Sequence, residues 1–273
     1  MAFIPIYDNN PLRNIRHPWV TWGFIAANIL VYFLYEGGTF TGEASQASAY
    51  GFGLIPALLN GTVARPDDLP AVPDVLTLIS YSFLHADIWH LAGNLIFLWV
   101  FADNVEDAVG HLRYFFFYLA CAAAAGYAYV LSDPASQAPV IGASGAVSGN
   151  IAAYLLLYPR VRVWILVFFG IPLRLRVEWV LGFWIVIQVA SAFGGDASDV
   201  AWWAHLGGLA AGALLILVIR LPGVPLFAKA LPDDHPLFRP DPRKVRAASV
   251  PSVPPPDREV PPPSPPDPRG PWA

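Results

Sequence analysis

Residues 142–160 read GASGAVSGNIAAYLLLYPR. Eighteen positions pass without a charge, and then an arginine appears. The first eight residues are all glycine, alanine, valine or serine, and the later ones are mostly large and apolar. At 1.5 Å per residue, an uncharged helix from Ser144 to Arg160 is about 24 Å long. That approaches the roughly 30 Å of a bilayer's hydrocarbon core. A hydroxyl at the mouth of such a segment raises the question of where the segment lies in a membrane.

The rest of the chain answers in the same sense. Of its 273 residues 56% are hydrophobic and only 13% charged, about half the charge fraction usual in soluble domains. Five further apolar segments stand out, giving spans at 19–35, 88–105, 112–131, 144–158, 177–194 and 202–219. A seventh apolar run, residues 163–173, is too short to cross. Gly170 and Pro172 interrupt it, and Arg160, Arg162, Arg174 and Arg176 flank it. It reads as a hairpin at the membrane interface. Residues 1–18 are polar and carry no signal-peptide cleavage pattern.

Orientation follows from the arginines and lysines. With six spans, Arg13, Arg16, Arg113, the four arginines around 163–173 and everything from Arg220 onward fall on one side. The opposite side carries only Arg65. Both termini are therefore expected in the cytoplasm. The long loop 36–80 contains YGFGLIPALLNG, which reads as an outer interfacial stretch. Proline makes up about half of the last 23 residues, so the tail is expected to be disordered or polyproline-like. No partner for it can be named from its composition. There is no internal repeat and no nucleotide-binding loop, and nucleic acid is not an expected partner.

Polar groups within spans are costly and mark function by default. Measured by helical rise from charged anchors, Ser144 lies about 24 Å above Arg160, and His205 about 22 Å above Arg220. His90 and Asn94 lie about 24 Å and 18 Å above Glu106. Three helices thus bring polar groups to nearly one level, near the outer face. Gly145 and Gly149 on the fourth span, and Gly208 and Gly212 on the sixth, form GxxxG faces that allow close backbone approach. A serine needs that approach to meet an imidazole. His205 could then take the Ser144 proton, and the unpaired N–H groups in the first turn of the Ser144 helix could stabilise an oxyanion. His90 and Asn94, four apart, share one helix face from which both could donate. No carboxylate lies at this depth, so the site reads as a dyad. Gln188, mid-fifth span, either lines the cavity or bonds a neighbour. Zinc is disfavoured: HExxH is absent, and a spacing of five sends His85 and His90 to divergent faces. No cofactor is expected.

At these residues the chain resembles the rhomboid family of intramembrane serine proteases. GxSG is met by Gly142, Ser144 and Gly145, and AHxxGxxxG by Ala204, His205, Gly208 and Gly212. HxxxN is met by His90 and Asn94, and ExxxGxxR by Glu106, Gly110 and Arg113. The resemblance covers residues 15–220. It implies an all-α membrane protein: a cytoplasmic segment 1–18, a six-transmembrane-helix rhomboid-like bundle over 19–221, and a proline-rich disordered cytoplasmic tail over 222–273. It implies Ser144 as nucleophile and His205 as base, with His90, Asn94 and the Ser144 backbone as oxyanion donors beside Gly145. Gly142, Gly149, Gly208 and Gly212 would serve helix packing. Single-pass membrane proteins would be the substrates, and the compartment a bacterial inner membrane. One departure is Ser148, which stands where some members place a tyrosine that stacks on the catalytic histidine. The competing readings are a non-catalytic binder of membrane helices on the same scaffold and, less favoured, a transporter.

Overall fold

The computed structural model describes residues 3–35, 46–65, 71–167, 170–194 and 200–229. Of the tail expected to be disordered over 222–273, residues 230–273 lie outside the described residues, as do 36–45 and 66–70 of the long loop.

All six apolar segments form helices. They are α1 (Trp19–Tyr35), the pair α5 (Ile88–Phe97) and α6 (Asp103–Val109), α7 (His111–Ser132), α8 (Ser144–Leu157), α9 (Val177–Gly194) and α10 (Trp202–Ile219). Among the described residues between the first two lie three short α-helices, α2 (Gln46–Phe52), α3 (Pro56–Leu59) and α4 (Thr77–Ser80), with 3-10 turns at Asp74–Leu76 and Tyr81–Phe83. A π-helical turn, Leu98–Ala102, joins α5 to α6 in one continuous helical run, Ile88–Val109. Among the described residues four helices are long and apolar enough to cross a membrane: Ile88–Val109, His111–Ser132, Val177–Gly194 and Trp202–Ile219. α1 and α8 are shorter apolar helices.

The all-α expectation needs one correction. Three strands, β1 (Phe3–Asp8), β2 (Arg162–Val167) and β3 (Ile171–Arg176), form an antiparallel sheet in that order. The expected 163–173 hairpin is thus present as β2 and β3. In β2, Arg162 and Trp164 face out while Val163 and Ile165 are buried, the alternation of a half-buried strand. β1 comes from residues 1–18, expected as a cytoplasmic segment ahead of the bundle. It pairs with β2 from Phe3 opposite Val167 to Asp8 opposite Val163. Six residues containing a proline carry too little periodicity to announce a strand, and the partner lies some 160 residues away.

α8 is the centre of the molecule. Ten consecutive residues, Gly145–Tyr154, are buried, with α7 and α10 packed along it. Its 14 residues span only about 21 Å, so its ends cannot both reach the edges of a hydrocarbon layer of about 30 Å. α9 is the opposite case, with only Val177, Val180, Leu181 and Gln188 buried.

One end of the bundle is tied by polar contacts. Buried Glu106 accepts from Val20 N at 3.0 Å, Thr21 N at 2.8 Å and Thr21 Oγ1 at 2.7 Å, satisfying orphan donors of the first turn of α1. His111 Nδ1 also meets Glu106 Oε1. Asp107 Oδ1 accepts from the backbones of Arg13, Asn14 and Ile15. Arg113 Nη1 donates to the Ile219 carbonyl at the end of α10. Beyond α10 the chain turns back, with Phe227 N and Ala228 N donating to the Leu156 and Leu157 carbonyls. The start of the expected disordered tail is thereby corrected: Val224, Leu226 and Ala228 pack on the helices, because their apolar side chains find the core.

Candidate active site

The other end of α8 begins at Ser144, and its start depends on Gly142. That residue has φ of +127°, a conformation side chains disfavour. It is also sterically closed: a Cβ there would lie 2.8 Å from both His90 Cε1 and Nε2, and 3.7 Å from Ser144 Oγ. The first glycine of the GxSG stretch thus lets the chain turn into α8 and lets the His90 ring approach the serine.

α10 meets α8 backbone to backbone. A Cβ on Gly208 would fall on the Gly145 carbonyl, and one on Gly212 would fall on that of Gly149. Gly145 and Gly149 are closed on their other side as well. A Cβ on Gly145 would lie 2.5 Å from Ala125 Cβ, and one on Gly149 2.5 Å from Cys121 Sγ, both on α7. The close approach inferred from the two GxxxG faces is therefore physical. It places Ser144 Oγ 2.9 Å from His205 Nε2, two residues 61 positions apart in sequence.

His205 is 8% exposed. Its other ring nitrogen, Nδ1, lies 2.7 Å from Gln188 Oε1 on α9. Trp184, one turn before Gln188, stacks on the imidazole with a centroid distance of 6.1 Å and an interplanar angle of 30°. Trp202 meets the ring edge-on at 5.7 Å. Ser148 is fully buried, and its Oγ donates to the Ser144 carbonyl at 2.7 Å. An aromatic face for the histidine thus comes from α9 instead of α8. Nothing in spacing alone ties Trp184 or Gln188 to His205; the one sequence signal was a lone amide in an apolar helix.

His90 and Asn94 lie on α5, whose N-terminus is capped by Asp87. That carboxylate accepts from Trp89 N at 2.7 Å and His90 N at 2.8 Å, a common cap arrangement. The Ala86 N–H approaches His90 Nδ1 at 3.4 Å. With Nδ1 accepting there, the neutral ring carries its own proton on Nε2, one of the two ring atoms that a Cβ on Gly142 would meet. Asn94 is buried, and its Nδ2 donates to the His90 carbonyl at 3.2 Å, so in this structure the amide bonds within its own helix. His85, also buried, meets His90 edge to face at 5.1 Å. Burial, reinforced by the neighbouring His90, holds the His85 pKa down to about 3, so this residue is a neutral packing group near neutral pH. Among the described residues no group of three or more histidine, cysteine or acidic side chains is placed to hold a metal.

The Rhomboid domain matches residues 73–222. Rhomboid protease GluP of Bacillus subtilis (strain 168) is 30% identical over 216 residues, covering 78% of this chain and 37% of the relative. Rhomboid protein 1, mitochondrial, of Saccharomyces cerevisiae is 28% identical over 153 residues, 52% of this chain and 41% of the relative. RHOMBOID-like protein 12, mitochondrial, of Arabidopsis thaliana is 28% identical over 161 residues, 53% of this chain and 46% of the relative. The chain therefore spans less than half the length of each of these relatives.

Proposed function

Because this chain belongs to the rhomboid family, we propose that it is an intramembrane serine endopeptidase that cuts the membrane segments of single-pass proteins near their outer end. One observation carries the reading: the 2.9 Å contact between Ser144 Oγ and His205 Nε2, delivered by two helices in backbone contact. Serine is a weak nucleophile until a base takes its proton, and the imidazole stands where that transfer occurs.

In the proposed reaction Ser144 Oγ attacks the scissile carbonyl while its proton passes to His205 Nε2. The carbonyl oxygen becomes an oxyanion held by the Ser144 backbone N–H, the His90 Nε2–H and Asn94. Collapse of this adduct breaks the C–N bond, and His205 returns the proton to the leaving amine. Water then hydrolyses the acyl–serine bond with His205 again acting as base. For Asn94 to join, its amide must turn from the His90 carbonyl, a rotation within one helical turn.

In this reading the chain passes through the membrane six times, the short α8 beginning at Ser144 below the outer edge of the hydrocarbon layer, with both termini in the cytoplasm. The polar contacts of Glu106, Asp107 and Arg113 gather at the end opposite Ser144, as do Arg160 and Arg220. This arrangement fits the positive-inside rule and leaves the catalytic pair facing the periplasm or exterior of a bacterial inner membrane.

The test is reconstitution of the full chain into proteoliposomes with a single-span substrate. Wild type is expected to cleave, and Ser144→Ala and His205→Ala to abolish cleavage. Cleavage that survives both substitutions would overturn the catalytic assignment. A wild type that captures membrane segments without cutting them would favour the non-catalytic binder.

A further inference from the structure

His205 has two hydrogen-bonding partners, and the second belongs to neither of the helices that form the catalytic pair. Gln188 Oε1, on α9, lies 2.7 Å from His205 Nδ1. The two ends of an amide look alike in outline, but here the far end decides which is which. Gln188 Nε2 lies 3.2 Å from the Trp184 carbonyl oxygen one turn earlier, and only the nitrogen can donate there. The oxygen therefore faces the imidazole. Since that oxygen can only accept, Nδ1 must carry the ring proton. A neutral His205 then presents a bare Nε2 to Ser144, and the hydroxyl donates to it across 2.9 Å. The other tautomer would set two lone pairs against each other at Nδ1 and an N–H against the serine.

We infer that Gln188 is a positioning residue that fixes the tautomer and orientation of His205, extending the pair into a Ser144–His205–Gln188 series. The inference rests on the protease reading of this site. The same helical turn supplies Trp184, whose ring stacks on the imidazole, so α9 sets both the tilt of the base and its proton. The accepting group is an uncharged amide, so it orients the base without pairing a negative charge with the imidazolium. The neighbouring ionisable group acting on His205 is His90 of α5.

The test compares wild type with Gln188→Leu and Gln188→Glu, in the full chain reconstituted in lipid. Nitrogen-15 shifts of the His205 ring, identified by their loss in His205→Ala, report the tautomer without requiring turnover. The Nδ1–H form is expected in wild type, with loss of that preference in Gln188→Leu. In kinetics, Gln188→Leu is expected to lower kcat and the rate of fluorophosphonate labelling of Ser144 about tenfold or more, leaving KM within about twofold. Gln188→Glu keeps the acceptor and adds a charge, so it should retain turnover while the acidic limb of its pH–rate profile moves to higher pH. An Nε2–H tautomer in wild type would overturn the inference. So would wild-type kcat in Gln188→Leu, or an unmoved acidic limb in Gln188→Glu. Failure of the protease reading looks different: wild type is then neither labelled nor active, while the ring shifts still decide which His205 nitrogen carries the proton.

Discussion

Gly212 of α10 lies so close to Gly149 of α8 that a Cβ on Gly212 would come within 2.5 Å of the Gly149 Cα. Four residues earlier, Gly208 stands in the same relation to the Gly145 carbonyl. Ser144 Oγ has one carbon of reach, so its hydrogen bond to His205 depends on this spacing.

Enlarging either glycine of α10 should therefore separate the pair. Gly208→Leu is expected to lower cleavage at least about 100-fold, because displacing reacting groups by about 1 Å has that order of effect. Cleavage assays on the reconstituted variant check this, and a fully active Gly208→Leu would refute the packing argument.

Glu106 satisfies the first turn of α1 from the far side of the bundle. Glu106→Gln replaces one acceptor oxygen with a donor facing other donors. It should destabilise the protein by about 1–3 kcal/mol, the usual cost of leaving a buried polar group unsatisfied. Thermal unfolding in detergent measures it, and an unchanged Tm would show that α1 is held by other means.

Asp8, buried in β1, bonds the Tyr154 hydroxyl. Burial, with Asp103 nearby adding to it, raises its pKa well above the usual carboxylate value. The sign follows from linkage. The folded state binds this proton more tightly than the unfolded state, so the stabilisation is complete below the unfolded pKa and is lost as pH rises through the folded one. Asp8→Asn removes that dependence. Wild type should lose stability relative to Asp8→Asn as pH rises from about 4, and parallel Tm profiles for the two proteins would contradict the assignment.

Ser148 faces α10 with no spare room: a Cβ on Gly208 would lie 3.3 Å from its own Cβ. Ser148→Ala removes only a hydroxyl bonded within the helix, and activity should stay within about twofold. Ser148→Tyr adds a ring to a filled site and should destabilise the bundle by about 1–3 kcal/mol or more. Unfolding and cleavage assays distinguish these outcomes, and a stable, active Ser148→Tyr would show that α10 can yield.

The six apolar stretches at 19–35, 88–105, 112–131, 144–158, 177–194 and 202–219 were legible in the sequence. Hydropathy and helical rise are local properties, and all six are helical: 19–35, 177–194 and 202–219 coincide with α1, α9 and α10, and the other three differ at their ends by one to four residues. Ser144 and His205 were legible as a pair because glycines four apart declare a close-packing face. Other features escaped such reading. β1 finds its partner in β2 across most of the chain, and the π-helical turn at Leu98–Ala102 has no local sequence marker. The contacts of Gln188 and Trp184 with His205 required knowing how α9 is rotated against α10. Local composition determines which segments are helices and how deep a residue sits along its own axis. Which side chains meet across two axes depends on rotation and register, set by packing of the whole bundle, and only the tertiary structure decides that.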